Sequence, residues 1–467
     1  MKKLIENGTY KKDERLPSIR EFAESFHVSA NTARAVYESL ERARFVRAVP
    51  QSGFYVDERV SVPSLSVIDA RSLDPEDVGL YRVAAAMATA GGTKAESIDL
   101  GLAYLARDLI PADALRQFAD YALRNHRNMI FPTLLSPGYD PLRRQIAMHA
   151  LSMGVPVQPE DLILTSGCQE SIYLALTVVA MPGSYIAVEN PVSFEILKVL
   201  EALRLKPVEI PCFSDEGMSL EALSFALDRD PIAAVVTNGN FLNPTGAVMP
   251  AGRKEALTRM LAARDIPLIE DDACGDLFFA PGASRPSTCL SFDRGGGVIY
   301  CSSFSKTVSP NLRLGWIIPG KWLHQVERHT QLLNHGMSPI PQISMALLLE
   351  DGLLPRHLRK VRTALRSRVP VAREAILSSF PEGTQVSDPS GGVSLWVTLP
   401  EGKRSRDLYD RALAQGILVA PGRLFGVKRR NESSFRVNAS VLTSSDAGAL
   451  GSIARDLSVG EESGKTD

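Results

Sequence analysis

The residues best suited to chemistry lie in one short run, Ser302-Ser303-Phe304-Ser305-Lys306-Thr307, with Arg313 seven positions past the lysine. A lysine that follows an apolar run is ordinarily a solvated surface charge. This one sits among small hydroxyl residues at the end of Val298–Ser302, a stretch that reads as a buried strand. An amine so placed can form a Schiff base with an aldehyde cofactor, while Ser and Arg side chains bind a phosphate dianion. A second segment, Thr165-Ser166-Gly167-Cys168-Gln169-Glu170, ends a strand and begins a helix, so its free backbone N–H groups point at a phosphate.

The elements that must position these groups follow from the pattern around them. From about Asp99, short β-branched runs alternate with amphipathic helices; the runs include Asp161–Thr165, Tyr185–Glu189, Ala233–Thr237, Pro267–Asp271 and Val298–Ser302. Apolar runs of about five residues between helices predict a mostly parallel sheet covered on both faces, an α/β fold. From about Gly336 the chain begins with helices and ends in strands such as Gly392–Leu399 and Ser434–Asn438, which predicts a smaller α+β subdomain. Residues 57–95, with Pro63, Ser64, Ser66, Pro75 and Gly91-Gly92, read as a linker carrying one helix over Val78–Ala90. The expected bounds are therefore 1–56, 57–95, 96–335 and 336–460.

The first segment has a different texture. Leu16-Pro17-Ser18-Ile19-Arg20-Glu21-Phe22-Ala23 opens a helix, with Glu21 three residues after Ser18 as a capping box requires. After the turn Phe26-His27-Val28, Ser29 caps a second helix, Ala30 to Arg44, whose Ala33, Val36, Tyr37 and Leu40 recur at helical spacing. Two helices joined by a tight turn form a helix-turn-helix, mainly α. Phe45-Val46-Arg47 and Gly53-Phe54-Tyr55-Val56 flank Ala48–Ser52 as a two-stranded β wing.

Composition limits the alternatives. Of 467 residues, 45% are hydrophobic and 22% charged, the balance of a soluble globular chain. The longest apolar stretches, such as Tyr173 to Met181, fall short of a membrane span, so no membrane is expected. The start, Met-Lys-Lys-Leu-Ile-Glu, lacks a secretory apolar core, and five scattered cysteines suit a reducing cytoplasm rather than a disulfide framework. The cysteines and histidines show no ligand spacing, so no metal is expected. Formal net charge is −1, but residues 1–56 hold ten Lys or Arg against seven Asp or Glu, and the remainder 42 against 46. The basic excess lies in the helix-turn-helix, a modest electrostatic footprint for DNA.

The run from Leu16 to Val56 resembles the GntR-type winged helix, with turn, second helix and Ser-Gly wing in family order. The resemblance implies that Ser18 and Arg20 hold phosphates and that Ser29, Asn31, Thr32 and Arg34 project into the major groove. Gln51, Ser52 and Gly53 would form the wing tip. Arg34 and Asn31 have the chemistry to read base edges, and the others fix register. The family's first helix precedes the Gly8 region by more residues than Met1–Asn7 supply, which implies a shortened helix or a start further upstream.

The lysine run resembles the corresponding motif of fold-type-I pyridoxal-phosphate aminotransferases, and further segments occur in that family's order. The resemblance implies that Gly167, Cys168, Gln169, Ser303, Ser305 and Arg313 surround the cofactor, with Lys306 as its anchor. Asn243, in Asn243-Pro244-Thr245-Gly246, would contact its phenolic oxygen, and Asp271 would keep the pyridine nitrogen protonated. Arg436 would bind a ligand's α-carboxylate as a bidentate pair. Two positions depart from the pattern. Cys274 stands where the family carries a tyrosine that bonds the phenolic oxygen, and a thiol is a far weaker donor. The ring-stacking aromatic is expected two residues after Pro191, where the chain has Ser193; the nearest aromatic is Phe194.

Together the two resemblances identify the chain as a MocR-type member of the GntR regulators. They imply a homodimeric, DNA-binding transcription regulator that senses an amine or amino acid through pyridoxal 5′-phosphate. The altered contacts at Cys274 and Ser193 weaken turnover more than cofactor binding. A working aminotransferase with a residual winged helix is the alternative; weak transaminase activity is compatible with either.

Overall fold

The structure, a computed structural model, describes residues 10, 14–26, 28–42, 45–49, 52–56, 98–125, 136–213, 216–334 and 336–457. Gln51, Met1–Asn7 and the linker with its expected helix lie outside these residues. The chain divides into two compact units, Met1–Asp77 and Val78–Asp467.

In the first unit, helix α1 (Ile19–Ser25) is closed by the expected capping box: Ser18 Oγ accepts from Glu21 N at 3.2 Å, and Ser18 N donates to Glu21 Oε2 at 2.8 Å. Helix α2 (Ala30–Arg42) follows. Strands β1 (Val46–Val49) and β2 (Gly53–Val56) pair antiparallel. The wing strand therefore runs two residues beyond Arg47, where the sequence pattern placed the turn. Leu16, Phe22, Ala33, Tyr37, Leu40, Phe45, Val46 and Val56 make a core of their own. Tyr37 is its hub. Its ring stacks on Phe54 at 4.5 Å and meets Phe22 edge-on, and its hydroxyl donates to Pro17 O at 2.6 Å.

The second unit begins with β3 (Ile98–Asp99). Its main sheet uses β4 (Ile163–Thr165), β5 (Tyr185–Asn190), β6 (Lys206–Phe213), β7 (Gly217–Met218), β8 (Ile232–Thr237), β9 (Leu268–Asp271), β10 (Val298–Ser303) and β11 (Gly315–Ile318). The order is β4-β11-β10-β9-β8-β5-β6-β7, with β10, β9, β8, β5 and β6 mutually parallel. Helices cover both faces, and separate apolar clusters form beneath them. A smaller antiparallel sheet, β12 (Gln385–Val386), β13 (Ser394–Thr398), β15 (Ala420–Pro421) and β16 (Ser434–Asn438), runs in the order β12-β13-β16-β15. A short strand β14 (Ile417–Leu418) pairs parallel with β3.

That last pairing corrects the expected subdomain bounds. Leu100, Ala103, Leu105, Ala106 and Leu109 pack in a core formed mostly by residues 361–457, which Phe194, Leu277 and Phe279 also join. Conversely, helix Pro339–Glu350 packs against Ala112–Asn125 and Asp140–Ser152, placing Met345, Ala346 and Leu348 in the large subdomain's core. Apolar faces, not chain order, decide which layer each segment joins.

Candidate functional site

Parallel strands direct their carboxyl ends to one edge of the sheet, where ligands bind in open α/β folds. Thr165, Asn190, Thr237, Asp271 and Ser303 close β4, β5, β8, β9 and β10 there. Beyond them lies a cavity of about 130 Å³ lined by Cys168, Gln169, Ser193, Asn243, Asp271, Ser303, Ser305, Lys306 and Arg313. The structure thus brings together eight of the cofactor residues expected from sequence. A ninth, Gly167, adjoins the cavity through Arg313.

The phosphate side is shaped by close backbone approach. Gly167 precedes helix α3 (Cys168–Val179) at φ 125°, and a Cβ there would lie 3.3 Å from Arg313 Nη2. Arg313 itself adopts a left-handed backbone, φ 49°. Gly315 has no room for a side chain: a Cβ would stand 2.7 Å from the Gly167 backbone and from Ser302 O. The result is a helix start, a guanidinium and two serine hydroxyls converging on one space.

Asp271 is fixed from one side. Cys168 Sγ donates to its Oδ1 at 3.2 Å and Ala273 N to the same oxygen at 3.1 Å. Burial raises the pKa of this carboxyl; the Cys168 and Ala273 hydrogen bonds and the Lys306 charge oppose the rise. Behind it, Asn238 Nδ2 donates to Asp271 O at 2.6 Å while Asn238 Oδ1 accepts from Asn243 N at 3.1 Å. Glu189 supports Asn238 by accepting from its N–H at 2.8 Å and from Thr237 Oγ1 at 2.7 Å. Burial pushes Glu189 up to about 7.

Lys306 Nζ donates to Ala103 O at 2.8 Å and lies 4.0 Å from the centre of the Tyr104 ring. Tyr104 also lines the cavity. Sequence reasoning missed it, because an aromatic inside an apolar run reads as core.

Three expected residues sit elsewhere than the pattern placed them. Phe194 does not line the cavity. It opens helix α4 (Phe194–Ala202), and its ring packs edge-on to Phe425 at 5.6 Å in the C-terminal core. One residue of helix rotation separates it from Ser193, which does face the cavity. The Cys274 thiol is likewise absent from the lining; burial pushes it up to about 12, opposed by the Lys306 and Arg436 charges. Arg436 is buried at 2% exposure and reaches the site through Asn243, whose Oδ1 accepts from Nη1 at 2.7 Å. Its Nη2 donates to Gly101 O, and its Nε is buried without a partner. Desolvation lowers Arg436 to about 10.

In the first unit, Ser18, Arg20, Ser29, Asn31, Thr32 and Arg34 are all exposed, and Ser52 and Gly53 are half-buried at the wing. Two hydroxyls have local duties. Ser18 caps α1, and Ser29 Oγ accepts from Thr32 N at 3.1 Å and contacts Thr32 Oγ1 at 2.8 Å. Ser52 Oγ meets Tyr55 OH at 2.7 Å, which stiffens the wing.

The fold is that of class I and II aminotransferases: residues 102–450 match this family, and residues 1–56 match the bacterial regulatory proteins of the gntR family. LysN, an α-aminoadipate aminotransferase of Thermus thermophilus, superposes with a TM-score of 0.71 at 26% identity, over 77% of this chain and 92% of that one. That structure is a complex with N-(5′-phosphopyridoxyl)-L-leucine. The uncharacterized HTH-type transcriptional regulator YjiR of Escherichia coli (strain K12) is 31% identical over 94% of this chain and 92% of its own length. YisV of Bacillus subtilis (strain 168), another uncharacterized HTH-type transcriptional regulator, is 28% identical over 92% and 89%. The chain belongs to the family of GntR-type transcription regulators in which a winged helix is fused to an aminotransferase-like domain.

Proposed function

We propose that this regulator binds DNA through α2 and the wing and holds pyridoxal 5′-phosphate on Lys306 to sense an amine or amino acid. The carrying observation is the convergence of Lys306, Asp271, Arg313 and the Gly167 turn on one cavity. These residues fit the cofactor: an amine for the aldehyde, a carboxylate for the ring nitrogen, and a side-chain-free turn beside a guanidinium for the phosphate. When bound, pyridoxal phosphate supplies an aldehyde that captures amines and a ring that draws electrons.

Each residue then has a stated task. Arg313, Ser303 and Ser305 hold the phosphate end. Asp271, with Oδ1 occupied by Cys168 and Ala273, would hold the ring nitrogen through Oδ2. Asn243, whose carbonyl holds Arg436 and whose amide donates to Ser193 Oγ at 3.3 Å, would offer that amide to the phenolic oxygen. The unpartnered Arg436 Nε suits a carboxylate on the ligand. Ser193 and Cys274 supply neither a ring stack nor a strong donor, which favours recognition over turnover. The protein acts in the cytoplasm as a homodimer.

Absorbance of the full-length protein with added pyridoxal phosphate, followed by borohydride reduction and peptide mapping, tests the cofactor reading. A visible band and a covalent label on Lys306, both lost in Lys306→Ala, are expected; no band sinks it. A gel shift on the DNA upstream of the protein's own gene tests the other half. Transamination of a panel of amino donors at ordinary enzyme rates would favour the aminotransferase alternative.

A further inference from the structure

Four consecutive carbonyls, Gly101 to Tyr104, each accept a side-chain hydrogen bond, two of them from the site residues Lys306 and Arg436. Gly101 O accepts from Arg436 Nη2, and Leu102 O from Asn438 Nδ2 at 2.7 Å. Ala103 O accepts from Lys306 Nζ at 2.8 Å, and Tyr104 O from Asn438 Nδ2 at 2.7 Å and Ser440 Oγ at 3.3 Å. Asn438 thus spends both amide hydrogens on this segment. Asn438 is itself locked: its backbone N–H donates to Leu100 O at 2.8 Å, and its Oδ1 accepts from Ser440 N at 3.0 Å and Ser440 Oγ at 2.7 Å. At the other end, Asp99 Oδ1 accepts from Gly101 N at 2.9 Å and Leu102 N at 3.1 Å.

Two of these donors are the ones a ligand needs. When the Lys306 ammonium sheds one proton to solvent and its nitrogen bonds to an aldehyde carbon, the two remaining hydrogens leave with the aldehyde oxygen as water. Ala103 O then loses its donor. A carboxylate on Arg436 would use Nε and compete with Gly101 O for Nη2. Leu102 and Tyr104, held by Asn438, have no such competitor.

We propose that Gly101–Tyr104 is a strap that competes with cofactor and ligand for Lys306 and Arg436, with Asn438 as the residue that positions it. This inference rests on the reading of Lys306 as the cofactor's anchor. Loading releases Ala103, a carboxylate-bearing ligand releases Gly101, and Asn438 keeps the strap from leaving altogether.

Hydrogen exchange of residues 99–106 in the full-length protein, with and without pyridoxal phosphate, tests this. Exchange should rise about tenfold on adding pyridoxal phosphate, and Lys306→Ala should show the raised rate with or without it. Asn438→Asp removes the strap's clamp while keeping its size. It should tighten pyridoxal phosphate binding at least about fivefold, the worth of one of the two hydrogen bonds removed, because a competitor is weakened. A merely structural Asn438 would weaken binding instead. If Asn438→Asp fails to fold, Ser440→Ala, which deletes the hydroxyl beside Tyr104 O, takes its place with the same expected direction.

Unchanged exchange in Lys306→Ala, or weaker cofactor binding in the clamp variants, overturns the strap. Borohydride labelling separates the two readings. Absence of label on Lys306 defeats the anchor, while the Lys306→Ala exchange without cofactor still decides the strap.

Discussion

Glu189 shows how a residue outside the cavity can govern it. Its carboxyl stands at about 7 against an ordinary 4.5 because burial disfavours the charge more than Thr237 and Asn238 stabilise it. Below about pH 4.5 the carboxyl is protonated in folded and unfolded chains alike, and its contribution to stability is full. As pH climbs to about 7 the unfolded chain ionises first, so stability falls across that window. Glu189→Gln should flatten the fall, a difference of about 3 kcal/mol at pH 8, read from denaturation midpoints against pH. Equal pH profiles for the two proteins would contradict this. Neither Glu189 nor its partner Asn238 was singled out from the sequence, since each touches the site only through another side chain. Lys306 stood out because a lysine among serines at the end of an apolar run is chemically unusual, and Asp271 only through the family resemblance; both line the cavity. Phe194 misled for a geometric reason: residue type was right, but one step along a helix turned the ring into the C-terminal core.

At the scale of elements, periodicity served well where a strand is wholly apolar and poorly elsewhere. Strands β5, β8 and β10 were readable as short runs bounded by turns. β6 was not, because Pro207 and Pro211 interrupt its alternation, and it survives as a strand paired along β5. β11 is four residues long and begins at Gly315, whose role is close approach. Gly315→Ala would drive a Cβ against backbone at Gly167 and Ser302, atoms that cannot step aside. It should cost about 1–3 kcal/mol and impair retention of pyridoxal phosphate on gel filtration, with retention like the parent's as the contrary result. Helix α1 offers a sharper test of role. Ser18 is both its cap and an expected phosphate contact, whereas Arg20 is exposed beside it. Ser18→Ala should lower stability by about 1 kcal/mol. Arg20→Ala should leave stability alone and reduce the slope of log K against log salt for DNA binding by about 1. If Arg20→Ala leaves the slope intact, that side chain holds no phosphate.

The whole molecule combines two units with separate cores, and the basic excess is confined to residues 1–56 of the smaller one. The strap directly follows β3, the first described strand of the larger unit. Separate cores make the two units thermally distinguishable. Tyr37→Phe removes the hydroxyl that reaches Pro17 O at 2.6 Å and leaves that carbonyl without its donor. A loss of about 1 kcal/mol should appear only in the winged helix's calorimetric transition, which identifies it. Pyridoxal phosphate at a hundred times its Kd should stabilise the other transition by about 2.7 kcal/mol, because a ligand that binds only the folded form shifts its unfolding by mass action. Lys306→Ala should abolish that shift while leaving the Tyr37-marked transition in place. A cofactor-dependent rise in the winged helix's own transition would show instead that the two units do not unfold independently.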